Sequence, residues 1–137
     1  MTEKAVMDAL VQMKRTGNLL NEMEDLTCQM GEAIDRNDQV SLEMLITMRE
    51  EPLGRLQEAD QAVRDQLELL EDKLEAAQLA SMLNGGPPAD PDKRVQQQLC
   101  EQVAANNRHL KRIMELDRRL NERLARENSV YRRDSSG

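Results

Sequence analysis

The sequence contains no phenylalanine, no tryptophan and a single tyrosine among its 137 residues. Any hydrophobic core must therefore be built from aliphatic side chains and methionine. The β-branched residues are also sparse, whereas Leu, Met, Ala, Glu, Gln and Arg, which favour helix, are abundant. These features predict an all-α protein, and the length of the chain suits one domain.

Long apolar segments are missing as well. The chain has no run of 18 consecutive apolar residues, so it is not expected to contain a transmembrane helix. Its first residues, Met1 to Lys4, reach charged side chains before an apolar stretch of signal-peptide length can form. We therefore expect a cytoplasmic protein with no stable membrane insertion.

Only two cysteines are present, Cys28 and Cys100. They fall near the end of the first predicted helix and near the start of the last. In an up-down-up bundle these two helices run parallel, which places the thiols at opposite ends. The sequence predicts reduced, core-facing thiols and no disulfide, as is usual in the cytoplasm.

The charge is negative overall and unevenly distributed. The formal net charge is -7, but residues 108–137 carry nine basic and five acidic side chains. The chain is thus an acidic body with a basic C-terminal arm. The negative body repels phosphate and no aromatic residues alternate with the arginines, so we do not expect nucleic-acid binding.

Apolar residues recur at steps of three, four and seven, the spacing of one helix face. From this pattern we predict an elongated antiparallel three-helix bundle, with coiled-coil-like packing, over residues 1–131. The predicted elements are helix 1 at about 2–36, helix 2 at about 39–82, a linker at 84–92, helix 3 at about 92–131 and a disordered tail at 132–137.

Capping residues mark several predicted helix ends. Thr2 is a candidate N-cap for helix 1, and Asn37 or Asp38 for helix 2. Gly85 can adopt the left-handed conformation that ends helix 2. These positions set the two predicted turns of the bundle.

Four features leave the packing open. Gly17 marks either a bend or a close helix contact, and Pro52 either kinks a continuous helix 2 or ends a short helix near Arg49. The nine methionines either fill the core or form an adaptable binding surface. On helix 3, the polar residues Asn106 and Asp117 interrupt the apolar stripe. They indicate either a polar layer that fixes the helix register or a face that awaits a partner helix.

The sequence offers no constellation for catalysis. His109 is the only histidine, and we expect it to be partly exposed on the surface of helix 3. The abundant carboxylates alternate with Lys and Arg, as on a solvated helix face. We therefore predict a non-enzymatic protein with no cofactor and no metal site.

Two segments carry a resemblance to a known family. One runs from Leu42 to Glu51, with the sequence Leu-Glu-Met-Leu-Ile-Thr-Met-Arg-Glu-Glu, and follows the turn at Asn37 and Asp38. The other is Asn107-x-x-Leu-x-x-Ile-x-x-Leu-Asp-x-x-Leu120. Together they resemble the flagellar export chaperones of the FlgN/FliT type, which are small acidic helical proteins. Pro52 departs from the family pattern, which usually continues without proline.

The resemblance implies a binding protein. Chaperones of this type hold the amphipathic helical terminus of a hook-associated or filament-cap subunit before secretion, and their C-terminal helix makes that contact. The same region can also engage the export apparatus. We expect helix 3 to expose more apolar surface than its two neighbours cover, with nearby arginines orienting the client. The predicted partner-binding residues are Leu110, Ile113, Leu116, Leu120, Leu124, Arg119 and Arg123. The alternative is a structural coiled coil whose stripes are consumed by self-association, for example in a homodimer.

Overall fold

The computed structural model describes the backbone of residues 2–136 and the side chains of residues 2–126. Within that part of the chain the protein is helical, with no β-strand, which confirms the prediction of an all-α protein. The helices are α1 (Glu3–Asp35), α2 (Gln39–Leu69), α3 (Lys73–Leu83) and α4 (Arg94–Ser136). None of the four is both long and apolar enough to cross a membrane.

The predicted helix 2 consists of two helices, so the described part of the chain has four helices where we expected three. Leu70 is extended, with φ -73° and ψ 121°, and ends α2. The Asp72 side chain then accepts hydrogen bonds from the amides of Leu74 (2.9 Å) and Glu75 (3.3 Å) and caps α3. Since an N-cap carboxylate satisfies amides that have no partner inside the helix, it favours a new start at this point.

Pro52 lies inside α2, which is continuous from Gln39 to Leu69. The alternative in which a short helix ends near Arg49 is therefore wrong. Pro52 removes one amide donor from the helix, but its ring is buried. At Pro52 the helix therefore lacks one backbone hydrogen bond but buries an apolar ring.

Both predicted N-caps are present. The Thr2 hydroxyl accepts a hydrogen bond from the amide of Ala5 at the start of α1. Asp38 caps α2, and Gly85 follows α3 with φ +97°, as expected for a left-handed helix end. Helix α4 starts at Arg94 and continues to Ser136, past the predicted end at residue 131. The side chains of the predicted tail lie outside the described residues.

Helix α1 is the centre of the fold. It packs closely against both α2 and α4, whereas α2 and α4 approach each other less closely than either approaches α1. Three apolar clusters follow one another along α1, and each contains α1 side chains. The first also contains Leu79 and Met82 of α3, both fully buried, with Leu99 and Val103 of α4.

The two cysteines are free, as expected. Cys100 is half-buried and burial raises the pKa of its thiol. Cys28 is exposed, so the prediction that it faces the core is wrong. The pKa of the Cys28 thiol is nevertheless raised. The larger cause is the partial burial of the side chain, and the negative charges of Glu24, Asp25 and Glu32 add to it.

The cap at Asp38 predicts a specific acid sensitivity. Its carboxylate accepts hydrogen bonds from the Ser41 hydroxyl (2.6 Å) and the Ser41 amide (3.1 Å). These bonds hold the pKa of Asp38 below its ordinary value of 3.8. The contribution of the ionised Asp38 cap to the free energy of unfolding is therefore fully present above the ordinary pKa of the carboxyl. It is lost as the pH falls through the lowered pKa of the folded state.

Urea unfolding at a series of acidic pH values would measure this contribution. Asp38→Asn keeps an amide oxygen that can cap the helix but removes the titration, so we expect a shallower loss of stability in acid. Asp8→Asn is the matched control, because Asp8 is exposed and receives no hydrogen bond among the described side chains. Equal acid profiles for Asp38→Asn and the wild type would contradict the prediction.

Candidate helix-binding groove

The predicted apolar seam of α4 is divided between core and surface. Ile113 is buried against Leu20 and Met23 of α1. Leu120 is buried in the cluster that contains Ile34 and Leu42, and Leu124 packs against the same cluster. Leu116 is half-buried. Of the five predicted leucine and isoleucine contacts, only Leu110 is largely exposed, at 46% of its surface.

The two predicted arginines are engaged within the protein. Arg119 lies 3.3 Å from Glu115 on the same helix face. Arg118 also bonds Glu115, at 2.6 Å, and lowers the pKa of that carboxyl. Arg123 reaches across to Asp35 at the end of α1. The described part of the basic arm therefore has contacts with the acidic body of the same chain.

The polar interruptions of the α4 stripe are used inside the protein. The Asn106 side chain is buried and donates a hydrogen bond to the Met13 carbonyl (2.8 Å), while its oxygen accepts one from Gln102 (3.0 Å). A Cβ on Gly17 would lie 2.9 Å from the Asn106 oxygen, so Gly17 marks a close helix contact. This supports the register-fixing interpretation of Asn106.

Asp117 forms the second polar contact. Its two carboxylate oxygens accept hydrogen bonds from the Arg49 guanidinium, at 2.9 and 3.0 Å. A bidentate pair of this kind is directional as well as charged. It joins α2 to α4 across the surface of α1, and both side chains are partly screened from solvent. The pair lies seven residues before Leu56 on α2 and seven residues after Leu110 on α4.

The groove lies between α2 and α4, with α1 as its floor, and has a volume of about 470 Å³. Two residues of α3 and the residue after it also line the groove. Most of the lining is apolar, with amide side chains on the α4 side. The lining residues are Met13, Thr16, Leu20, Leu56, Asp60, Val63, Arg64, Leu67, Ala80, Leu83, Asn84, Val103, Asn106, Asn107 and Leu110.

Two further exposed apolar side chains extend the rim. Leu53 follows Arg49 by one helical turn, and Met114 precedes Asp117 by three residues. Side chains three or four positions apart share a helix face, so both lie on the sides of α2 and α4 that meet at the ion pair. Both are about half-exposed. Neither lines the groove itself, but with Leu110 they add exposed apolar surface on the same sides of α2 and α4.

The geometry of the groove fits an elongated apolar ligand. The α2 wall from Leu56 to Leu67 extends roughly 16 Å at 1.5 Å per residue. The volume falls within the range of protein sites that bury ligands or anchoring side chains. The only charged lining residues in this described region, Asp60 and Arg64, pair with each other at 3.1 Å. The groove is thus apolar with no excess charge of either sign.

The surface position predicted for His109 is wrong. The His109 side chain is 10% exposed, and its Nε2 faces the Glu24 carboxylate on α1. The Arg112 guanidinium lies 3.6 Å from the other oxygen of Glu24. The surface that α4 buries against α1 is therefore wider than its apolar stripe. His109 lies at the edge of that surface, where Glu24 is its polar partner. Among the described residues, no group of three His, Cys, Asp or Glu side chains is arranged to hold a metal ion.

Of the predicted partner-binding residues only Leu110 lines the groove, and the sequence did not indicate the α2 and α3 walls. Periodicity identifies the apolar face of α2 but not which edge of that face turns towards α4.

No protein-family model, no curated protein and no solved structure matches the chain.

Proposed function

We propose that this protein is a non-enzymatic export chaperone of the FlgN/FliT type. It binds an amphipathic helical segment of a hook-associated or filament-cap subunit before secretion. The site is the α2–α4 groove, where apolar side chains at helical spacing enter from the open side. The observation that carries the proposal is the apolar groove with Leu110 exposed at its rim.

The proposed client site is the α2–α4 groove, whereas the sequence predicted the apolar seam along α4. Leu120 and Ile113 stabilise the protein itself, and the client contacts Leu110 and the α2 wall. Helix-in-groove recognition needs a row of apolar anchors on the ligand and a matching trough on the receptor. The trough here has apolar side chains on both walls, Leu56 on α2 and Leu83 on α3 on one side and Leu110 on α4 on the other.

The test uses labelled peptides that correspond to the terminal helical segments of hook-associated and filament-cap subunits from the source organism. Binding is measured by fluorescence anisotropy. For the peptide that binds, we expect Leu110→Glu to weaken binding by about tenfold or more, because a charge then enters an apolar contact. Leu74→Glu is the matched control, since Leu74 is 68% exposed and lies outside the groove.

Two outcomes would contradict the proposal. One is that no such peptide binds the folded wild-type protein. The other is that Leu110→Glu and Leu74→Glu bind the peptide equally well. Sedimentation at varied protein concentration tests the alternative, a structural coiled-coil protein that fills this groove with a second copy of itself. A stable homodimer that Leu110→Glu dissociates would favour that alternative.

A further inference from the structure

A second groove follows the contact between α1 and α2, on the side away from α4. It consists of two adjoining cavities of about 260 and 370 Å³, both of which Met48 lines. Consecutive helix residues point about 100° apart. Because Arg49 points to α4, where it bonds Asp117, its neighbour Met48 faces a different side of α2. The second groove is therefore separate from the proposed client site.

An apolar stripe forms part of the α2 wall of this groove. Met44 and Met48 line it and are 60% and 52% exposed, and Val40, one helical turn before Met44, is 70% exposed just outside the lining. Met23 and Met30 of α1, in contrast, are buried in the core. Methionines thus occur both in the core and on an exposed surface, and Met44 and Met48 are on the surface. Flexible, polarizable methionine side chains adapt to the shape of an apolar ligand.

The opposite wall is acidic. Glu22, Asp25 and Glu32 of α1 line the groove and form no ion pair among the described residues. Two cations line it among the side chains that the structure describes, and both are engaged: Arg36 lies 3.8 Å from Asp38, and Arg55 lies 2.7 Å from Glu51.

The negative field also reaches beyond the groove. The pKa of the exposed Cys28 thiol is raised first by the partial burial of its side chain and then by nearby carboxylates, which include Asp25 and Glu32. An apolar stripe beside uncompensated carboxylates is complementary to a ligand that is apolar along one face and positively charged along its edge.

We propose that this second groove binds a basic amphipathic helix of a partner protein. The partner's apolar side chains pack on Met44 and Met48, and its Lys or Arg side chains pair with Glu22, Asp25 and Glu32. The groove extends about 20 Å along α1, which corresponds to roughly four turns of a bound helix. The inference does not depend on the proposed client or on the α2–α4 groove.

The first experiment uses two synthetic helical peptides of about 18 residues with identical leucine spacing. One carries lysine at its polar positions and its twin carries glutamate. The protein is labelled with ¹³C at its methionine methyl groups and observed by NMR. We expect the lysine peptide, but not the glutamate peptide, to shift the Met44 and Met48 signals, whereas Met114, on α4 beside the neutral α2–α4 groove, should respond to the two peptides alike. Equal shifts from the glutamate peptide, or saturable shifts at Met114 alone, would overturn the proposal.

The second experiment removes the charges of the acidic wall. The triple variant Glu22→Gln, Asp25→Asn, Glu32→Gln should weaken binding of the lysine peptide by about tenfold. A control variant removes the same number of charges from exposed positions outside the groove, at Glu58, Glu68 and Glu71. We expect the control to change binding by less than about threefold, through long-range attraction alone. Equal losses in the two variants would mean diffuse attraction and would overturn the proposal.

The third experiment tests the apolar wall and the identity of the occupant. Met44→Gln with Met48→Gln should also weaken the lysine peptide by about tenfold, whereas Met7→Gln, at an exposed position of α1, should not. The remaining possible occupant is the basic arm of a second copy of the chain. If the Met44 and Met48 signals move with protein concentration in the absence of peptide, and a dimer sediments, the second copy occupies the groove and the proposal fails.

Discussion

Replacing Leu120 by glutamate should abolish most of the stability of this protein. Leu120 is buried among Met30, Ile34 and Leu42, where all three long helices meet. Truncation of a buried leucine costs about 2–5 kcal/mol, and an unpaired charge at the same place adds a desolvation penalty. We expect a loss of at least about 4 kcal/mol, a large fraction of the stability of an ordinary domain.

Urea titration followed by far-UV circular dichroism measures this loss. Leu110→Glu is the matched control because it is the same change on the same helix at a half-exposed position. We expect the control to change the free energy of unfolding by less than about 1 kcal/mol. If Leu120→Glu proved as stable as Leu110→Glu, the end of α4 would not be packed in solution and the seam would be free to bind a client. The contrast also explains why a client-binding test must use Leu110.

The second large effect is expected at Leu79, on the short helix α3. Its side chain is fully buried between α1 and α4, together with Met82. An eleven-residue helix is marginal in isolation, so α3 depends on this packing. We expect Leu79→Ala to lower the free energy of unfolding by about 3 kcal/mol, from lost burial and the cavity left behind.

Leu74→Ala is the control for this prediction, because Leu74 lies on the same helix but is 68% exposed. Its expected effect is within about 0.5 kcal/mol. Hydrogen exchange distinguishes two ways of losing the stability: local opening of α3 would accelerate exchange only at α3 amides, and global unfolding would accelerate exchange throughout the core. Equal stabilities of the two alanine variants would contradict the packing of α3 described above.

The helix class and most helix ends could be predicted from the sequence, since they depend on local chemistry. Thr2 and Asp38 cap their own helices, and Gly85 adopts its conformation within one turn of the chain. The break between α2 and α3 was missed because Leu67, Leu70 and Leu74 maintain the apolar spacing across it. The local signal was Asp72 followed by Glu75 three residues later, the pattern of a capping box. In the structure Glu75 instead accepts a hydrogen bond from the Thr2 amide, at 2.5 Å.

The candidate site could be predicted only in part, for a physical reason. Periodicity shows that Leu110, Ile113 and Leu120 lie on one side of a helix, but burial also depends on what lies opposite each of them. Ile113 and Leu120 face packed helices, whereas Leu110 faces the gap between α2 and α4. The buried His109 and its contact with Glu24 have the same origin, because such a pair depends on residues far apart in the sequence.

The central position of α1 has a consequence for the order in which the chain assembles. A turn of three residues connects α1 to α2, so their contact closes a short loop at little cost in chain entropy. Helix α4 begins only at Arg94, and its docking on the remaining face of α1 must close a loop that contains two other helices. We therefore expect the hairpin of α1 and α2 to form early, as a template, and the long C-terminal helix to complete the structure in the slower step.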